Sequence, residues 1–197
     1  MTRKQNIICS AQSGIFTLLA FAFFNFAYPY HIHYQEQMQM FRFGADYFHE
    51  SIVVPGGLCD WIGGFLVQFF YYAPAGALIL SLLIGLIQFL TWKNMEKGSF
   101  ASYPLSFLPA VSMFLFFCDE NALVTAAIAI IASLALSFFL MKISGTVHRS
   151  IITILLMPVM YCLFGNITIL VPVVTAINSF IRREDKKIIL SFILAAC

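Results

Sequence analysis

Residues 11–50, AQSGIFTLLAFAFFNFAYPYHIHYQEQMQMFRFGADYFHE, pass without a linker from an apolar run into an island that carries three of the chain's four histidines and three of its nine carboxylates. The run from 11 to 29 has the length that a helix needs to cross the hydrocarbon core of a bilayer. If it crosses, the island is left at a membrane surface and the rest of the chain must be laid across the bilayer from that point. Composition supports the crossing. With 61% hydrophobic residues, 10% charged residues and 22 phenylalanines, the 197 residues carry more apolar surface than a water-soluble core of this size hides. The chain therefore reads as all-α, a polytopic transmembrane helical bundle with the lipid bilayer as its first partner. A net charge of +2 gives no argument for nucleic acid as another.

Arg3 and Lys4 before the first run resemble the charged start of a signal peptide, but the run is long and FNFAYPY (24–30) offers no small-x-small cleavage site, so an uncleaved anchor is expected. Further spans are expected near 65–91, 103–118 and 121–141. Pro74 and Pro109 should bend their spans, whereas Pro104 suits a first helical turn. The run from 151 to 180 is too long for one untilted span and short for two ordinary ones.

Charge places that last run. Arg3 and Lys4 put the N-terminus in the cytoplasm, and Lys93, Lys97, Lys142 and Arg149 then fall on the same side. If Arg182, Arg183, Lys186 and Lys187 join them, 151–180 must form a tight hairpin near Gly165-Asn166, or enter and return without crossing. Ten of the 11 Lys and Arg residues are then cytoplasmic, with Arg42 outside. The expectation is about six full or partial spans in one membrane domain over 1–197, in a bacterial inner membrane. The final apolar stretch, 188–197, is too short to span, which suggests the front portion of a longer polypeptide.

On this layout the island is the first outer loop. From residue 35 to 53 its apolar members Met38, Phe41, Ala45, Phe48 and Ile52 recur at spacings of three and four, and Gln35, Gln39, Arg42, Asp46 and His49 form a second stripe. That pattern predicts one amphipathic interfacial helix between Pro29 and Pro55-Gly56-Gly57, with Arg42 and Asp46 one turn apart. Such a helix can simply cover the ends of a bundle. Two features point further: Glu36 between two glutamines at the exit of the first span, and Asp60-Trp61 beside closely spaced glycines.

His31, His33 and Glu36 offer sound ligand chemistry for zinc or manganese, but an H-x-H pair converges only in an extended segment, and no metal site is predicted. No nucleophile triad, phosphate-cradling glycine loop or C-x-x-C pair is present. Five cysteines read mostly as apolar filler, although Cys59 and Cys118 fall near one surface, where a disulfide is chemically possible. Asn166-Ile167-Thr168 matches a glycosylation sequon at the outer tip of the hairpin.

The segments QEQMQMF (35–41), YF (47–48), PGGLCDWIGGFLVQFFYYAPAGALI (55–79) and LIQFLTW (86–92) resemble the N-terminal region of a family of large, uncharacterised multi-pass membrane proteins of Bacteroidetes, a domain of unknown function. The likeness covers roughly residues 33–92 and implies no activity. More distantly, the order of span, outer loop with an acid and an amphipathic helix, and span is similar to the GT-C class of glycosyltransferases, which use polyprenyl-phosphate-linked sugars. That resemblance implies Glu36 as the general base, with Asp46 as a second candidate, although the class often shows an acidic pair where this chain has Gln35-Glu36-Gln37. His33, Gln35, Gln39, Arg42 and Asp60 would then bind the substrate, with Arg42 or His33 offsetting phosphate charge. A transporter or flippase subunit and a non-catalytic membrane assembly factor are the rival readings. Against ion-coupled transport, the expected spans hold almost no ionisable side chains.

Overall fold

The computed structural model describes residues 3–38, 41–95, 103–119, 121–143 and 145–181, and every regular element in them is helical. Gln39, Lys97, Glu120, the basic cluster at 182–187 and the closing apolar run lie outside the described residues. Helix α1 spans Arg3–Ala22 and ends in a widened turn over Phe23–Ala27, where the Tyr28 amide donates back to the Phe23 carbonyl at 3.1 Å. Pro29 then opens α2, Pro29–Met38, since a proline in the first turn loses no helical hydrogen bond.

Three stretches, Ile7–Ala27, Ala73–Asn94 and Val147–Phe180, are long and apolar enough to cross a membrane. Helix α5, Ala73–Asn94, is the central one: its 22 residues give about 33 Å, close to a bilayer core. Pro74 does not bend it. Tyr72 is extended, with φ −98° and ψ 106°, and Pro74 sits in the first turn of the helix. The expected span 65–91 is therefore divided into α4, Gly57–Val67, a tight turn at Gln68–Tyr71, and α5.

Helix α6, Phe107–Phe116, follows a tight turn at Tyr103–Ser106, so Pro109 also falls in a first turn, where its missing N–H has no helical partner to lose. Helix α7, Val124–Leu140, packs on α5 and α4 through small side chains: Ala127, Ala129, Ser133 and Ser137 are buried. Small residues are what allow membrane helices to approach closely when no hydrophobic force drives them together. Helices α8, Thr146–Phe164, and α9, Leu170–Ile181, are joined by a tight turn at Gly165–Ile169. The Arg149 Nη2 donates to Ser179 Oγ at 3.0 Å across 30 residues, so the chain reverses between them. Thr168 Oγ1 pins the reversal by donating to the carbonyls of Met160 (3.1 Å) and Gly165 (2.7 Å).

Helix α4 packs on α7 and connects the hairpin to the start of α5. Gly56 lies against Gly165 at the hairpin tip, Gly63 against Thr125 at the start of α7, and Phe70, in the turn after α4, against Gly76 at the start of α5. The start of α5, the end of α6 and the start of α7 meet α2 at one end of the bundle, which we call the capped end, whereas the hairpin tip lies beside the middle of α7, where Ser133 Oγ donates to the Ile167 carbonyl at 3.4 Å. At the opposite end the Lys93 and Lys142 ammonium groups lie over aromatic rings, 5.0 Å from Trp92 and 4.5 Å from Phe138. Their stems are covered while the charge stays outside.

Candidate functional site

The polar island does not form the single helix expected over 35–53. It forms α2 and a second helix, α3, Ala45–Ile52, with Phe41–Gly44 non-helical between them. One local and one tertiary feature accompany the break in the helical periodicity. Gly44 is extended, with φ −173° and ψ 148°. Phe41 turns onto α4, where its ring meets Trp61 at 5.4 Å and Phe65 at 5.9 Å, packing that a continuous helix forgoes. Arg42 and Asp46 are consequently not one helical turn apart, and both are exposed.

Helix α2 is tied to the capped end by its buried face. Ile32 is fully buried against Gly76 at the head of α5. Gln35 is 4% exposed, and its Nε2 donates at 2.9 Å to the carbonyl of Ala122 in the α6–α7 loop. Tyr28 adds a bond from its hydroxyl to the Cys118 carbonyl in the same loop, at 3.3 Å. Gln35, expected to bind substrate, is thus a clamp between α2 and that loop. Next to it, Glu36 is half-buried. His31 is buried beside Tyr28, while His33, two residues on in a helix, is exposed. The helical geometry separates the two imidazoles, and among the described residues no group of three or more His, Cys, Asp or Glu comes together.

Helix α4 carries Asp60, exposed, between Cys59, fully buried, and Trp61, half-buried. Burial, and next the charge of Asp60, push the Cys59 thiol up to about 12, so it stays protonated and unreactive. Burial also pushes the Cys118 thiol up. Both cysteines are free, so the disulfide that proximity to one surface allowed is not formed.

Two cavities open in this region. One, of about 430 Å³, is lined by Tyr28, Tyr30, His31 and Tyr34 at the junction of α1 and α2. The other, of about 460 Å³, lies between the Phe41–Gly44 link, α3 and α4, with Phe41, Phe43, Phe48 and Trp61 as walls and Arg42 as its ionisable lining residue. The walls hold one another edge to face: Phe41 to Phe43 at 5.1 Å and Phe48 to Trp61 at 5.2 Å. Trp61 stacks on Phe65 at 6.2 Å with 6° between planes. The sequence reading notes Trp61 beside Asp60 and does not group these rings. The signal was there in the aromatic density of 41–48 and in Trp61 and Phe65, one turn apart on α4.

Arg149, weighed in the sequence only for its side of the membrane, sits in the first turn of α8 at 1% exposure, bonded to Ser179 and with its carbonyl accepting from the Thr153 hydroxyl. In the sequon, Asn166 is exposed, but the Thr168 hydroxyl is buried and spent on the hairpin turn.

A family model described as a family of unknown function (DUF6057) matches residues 3–197, and the chain belongs to that family. No curated protein and no solved structure matches it.

Proposed function

We propose that this DUF6057 chain is the membrane-embedded front module of a GT-C-like glycosyltransferase, with the capped end on the outer face of a bacterial inner membrane, the N-terminus in the cytoplasm and a polyprenyl-phosphate-linked sugar as donor. The supporting observation is the gathering of the polar island onto one end of the bundle, where Glu36 stands half-buried on a helix clamped in place by Gln35. A carboxylate there is suited to accept the proton of an acceptor hydroxyl at the lipid surface. Asp46 on α3 is the second candidate base, and the exposed Arg42 and His33 are available to phosphate oxygens.

The test is Glu36→Gln, which keeps shape and removes the base. Transfer of labelled sugar from polyprenyl-phosphate donors by membranes containing the protein should fall about 100-fold or more, with insertion unchanged. Undiminished transfer would refute the assignment of Glu36. The polar contacts of buried Arg149 between the hairpin legs favour the transporter reading as the alternative, and in that case Glu36→Gln should leave substrate movement intact.

A further inference from the structure

The aromatic cavity has a composition that selects its occupant. Its walls present ring faces and edges from Phe41, Phe43, Phe48 and Trp61, and the ionisable group among its lining residues is the Arg42 guanidinium. Aromatic cups are the usual receptor for quaternary ammonium groups, because ring faces attract cations. Here the arginine repels a cation from the same space. A neutral ring with an apolar C–H face suits the walls, and an anionic oxygen pair suits the guanidinium fork. A volume of about 460 Å³ is within the range of small-ligand sites. Trp61 lies on α4 two residues before Gly63, which packs against Thr125 at the start of α7, so on the proposed layout the cup faces the headgroup region of the bilayer.

We propose that the cup binds the head of a phosphoglycolipid, with the sugar or cyclitol ring against Trp61 and Phe48 and the phosphate on Arg42. This assignment rests on the reading that the capped end handles lipid-linked sugar, and it names the place where the donor is held.

Trp61 is its own reporter, since the difference in emission between the wild-type protein and Trp61→Phe isolates it from Trp92. The full chain is reconstituted in phosphatidylcholine nanodiscs alone, or doped with phosphatidylinositol (ring and phosphate), phosphatidylglycerol (phosphate without ring) or a neutral glycosyl diacylglycerol (ring without phosphate). The expected result is a saturable change in Trp61 emission that is strongest with phosphatidylinositol. Arg42→Gln, a change at an exposed position, should weaken it about tenfold or more, to the level of the neutral glycolipid. Equal responses to phosphatidylinositol and phosphatidylglycerol would reduce the cup to a general anionic-surface contact. No response to any headgroup would make it a membrane anchor only. Either outcome overturns the proposal, and neither touches the Glu36→Gln turnover test, so the two readings fail separately.

Discussion

Replacing Gly165 with alanine tests the junction between the start of α4 and the hairpin. Gly165 has φ 72° and ψ −160°, a backbone region that is essentially glycine's alone and costs other residues of order 1–3 kcal/mol. A methyl group there would lie 3.3 Å from the Gly56 Cα, tighter than ordinary packing. Gly56 has little room to retreat. Its own φ is +89°, and its amide donates to the Cys162 carbonyl at 3.0 Å, a bond whose loss costs about 0.5–1.5 kcal/mol. Together the terms predict a destabilisation of about 2–4 kcal/mol, a large share of the roughly 5–15 kcal/mol that holds a domain together. Reversible unfolding in mixed detergent micelles, followed by far-UV circular dichroism, gives the number. Gly14→Ala is the control, because Gly14 has nothing within 4 Å of the added carbon and alanine favours the helix by about 1 kcal/mol. Hydrogen exchange at the Gly56 amide should quicken in Gly165→Ala and stay unchanged in Gly14→Ala. If the two variants unfold alike, within about 0.5 kcal/mol, the tip is not held by this backbone contact and the hairpin does not anchor the start of α4.

Two further outcomes follow from the site. Gln35→Glu sets an acceptor against the Ala122 carbonyl and buries a charge, so it should cost about 2 kcal/mol or more in the same unfolding assay. A cost below that would mean that α2 is not clamped through this bond. Cys59 gives a pH dependence: its folded thiol lies near 12 against an ordinary 9.0, so the unfolded chain releases a proton that the folded chain keeps. Stability from this group is complete below pH 9.0 and declines as pH rises toward about 12. Cys59→Ala should therefore flatten the alkaline fall in stability, and identical alkaline curves would contradict the burial of that thiol.

The helical, membrane-suited architecture was legible because it follows from composition and run length, which act over twenty residues at a time. What escaped was decided by single side chains meeting partners far along the chain. Periodicity drew one helix through Phe41–Gly44, but the gain in packing Phe41 on Trp61 and Phe65 depends on α4, which a local pattern does not contain. Pro74 and Pro109 were read as bends because hydropathy ran straight through them, whereas each marks the first turn of a new helix. Arg149 was weighed only for its side of the membrane because the positive-inside rule weighs charge by position relative to a span and is blind to burial. Among the candidate site residues, the location of Glu36 and Asp46 in the polar island and of Asp60 at the head of the next apolar stretch was readable. The conversion of Gln35 from ligand to clamp required knowing that the Ala122 carbonyl would come to lie 2.9 Å away.

The clamp belongs to a pattern that gives the polar island a physical reason to lie where it does. Carbonyls in the last turn of a membrane helix, and in the short loops that follow, lack intrahelical donors and are costly to leave bare near lipid. Three such carbonyls are satisfied from the first loop region: Cys118 by the Tyr28 hydroxyl, Ala122 by the Gln35 side chain and Cys162 by the Gly56 amide. Two of these bonds reach the α6–α7 loop and the third reaches the last turn of α8, so the first loop region is tied to the loop at the capped end and to the hairpin. Trp61 follows Gly56 by little more than one turn of α4, and Phe41 is held to α4 by ring contacts and to Gln68 by a bond at 3.5 Å. Phe41, a wall of the aromatic cup, is thus held by α4 and by Gln68, which makes the cup's geometry depend on elements beyond the loop that supplies most of its rings.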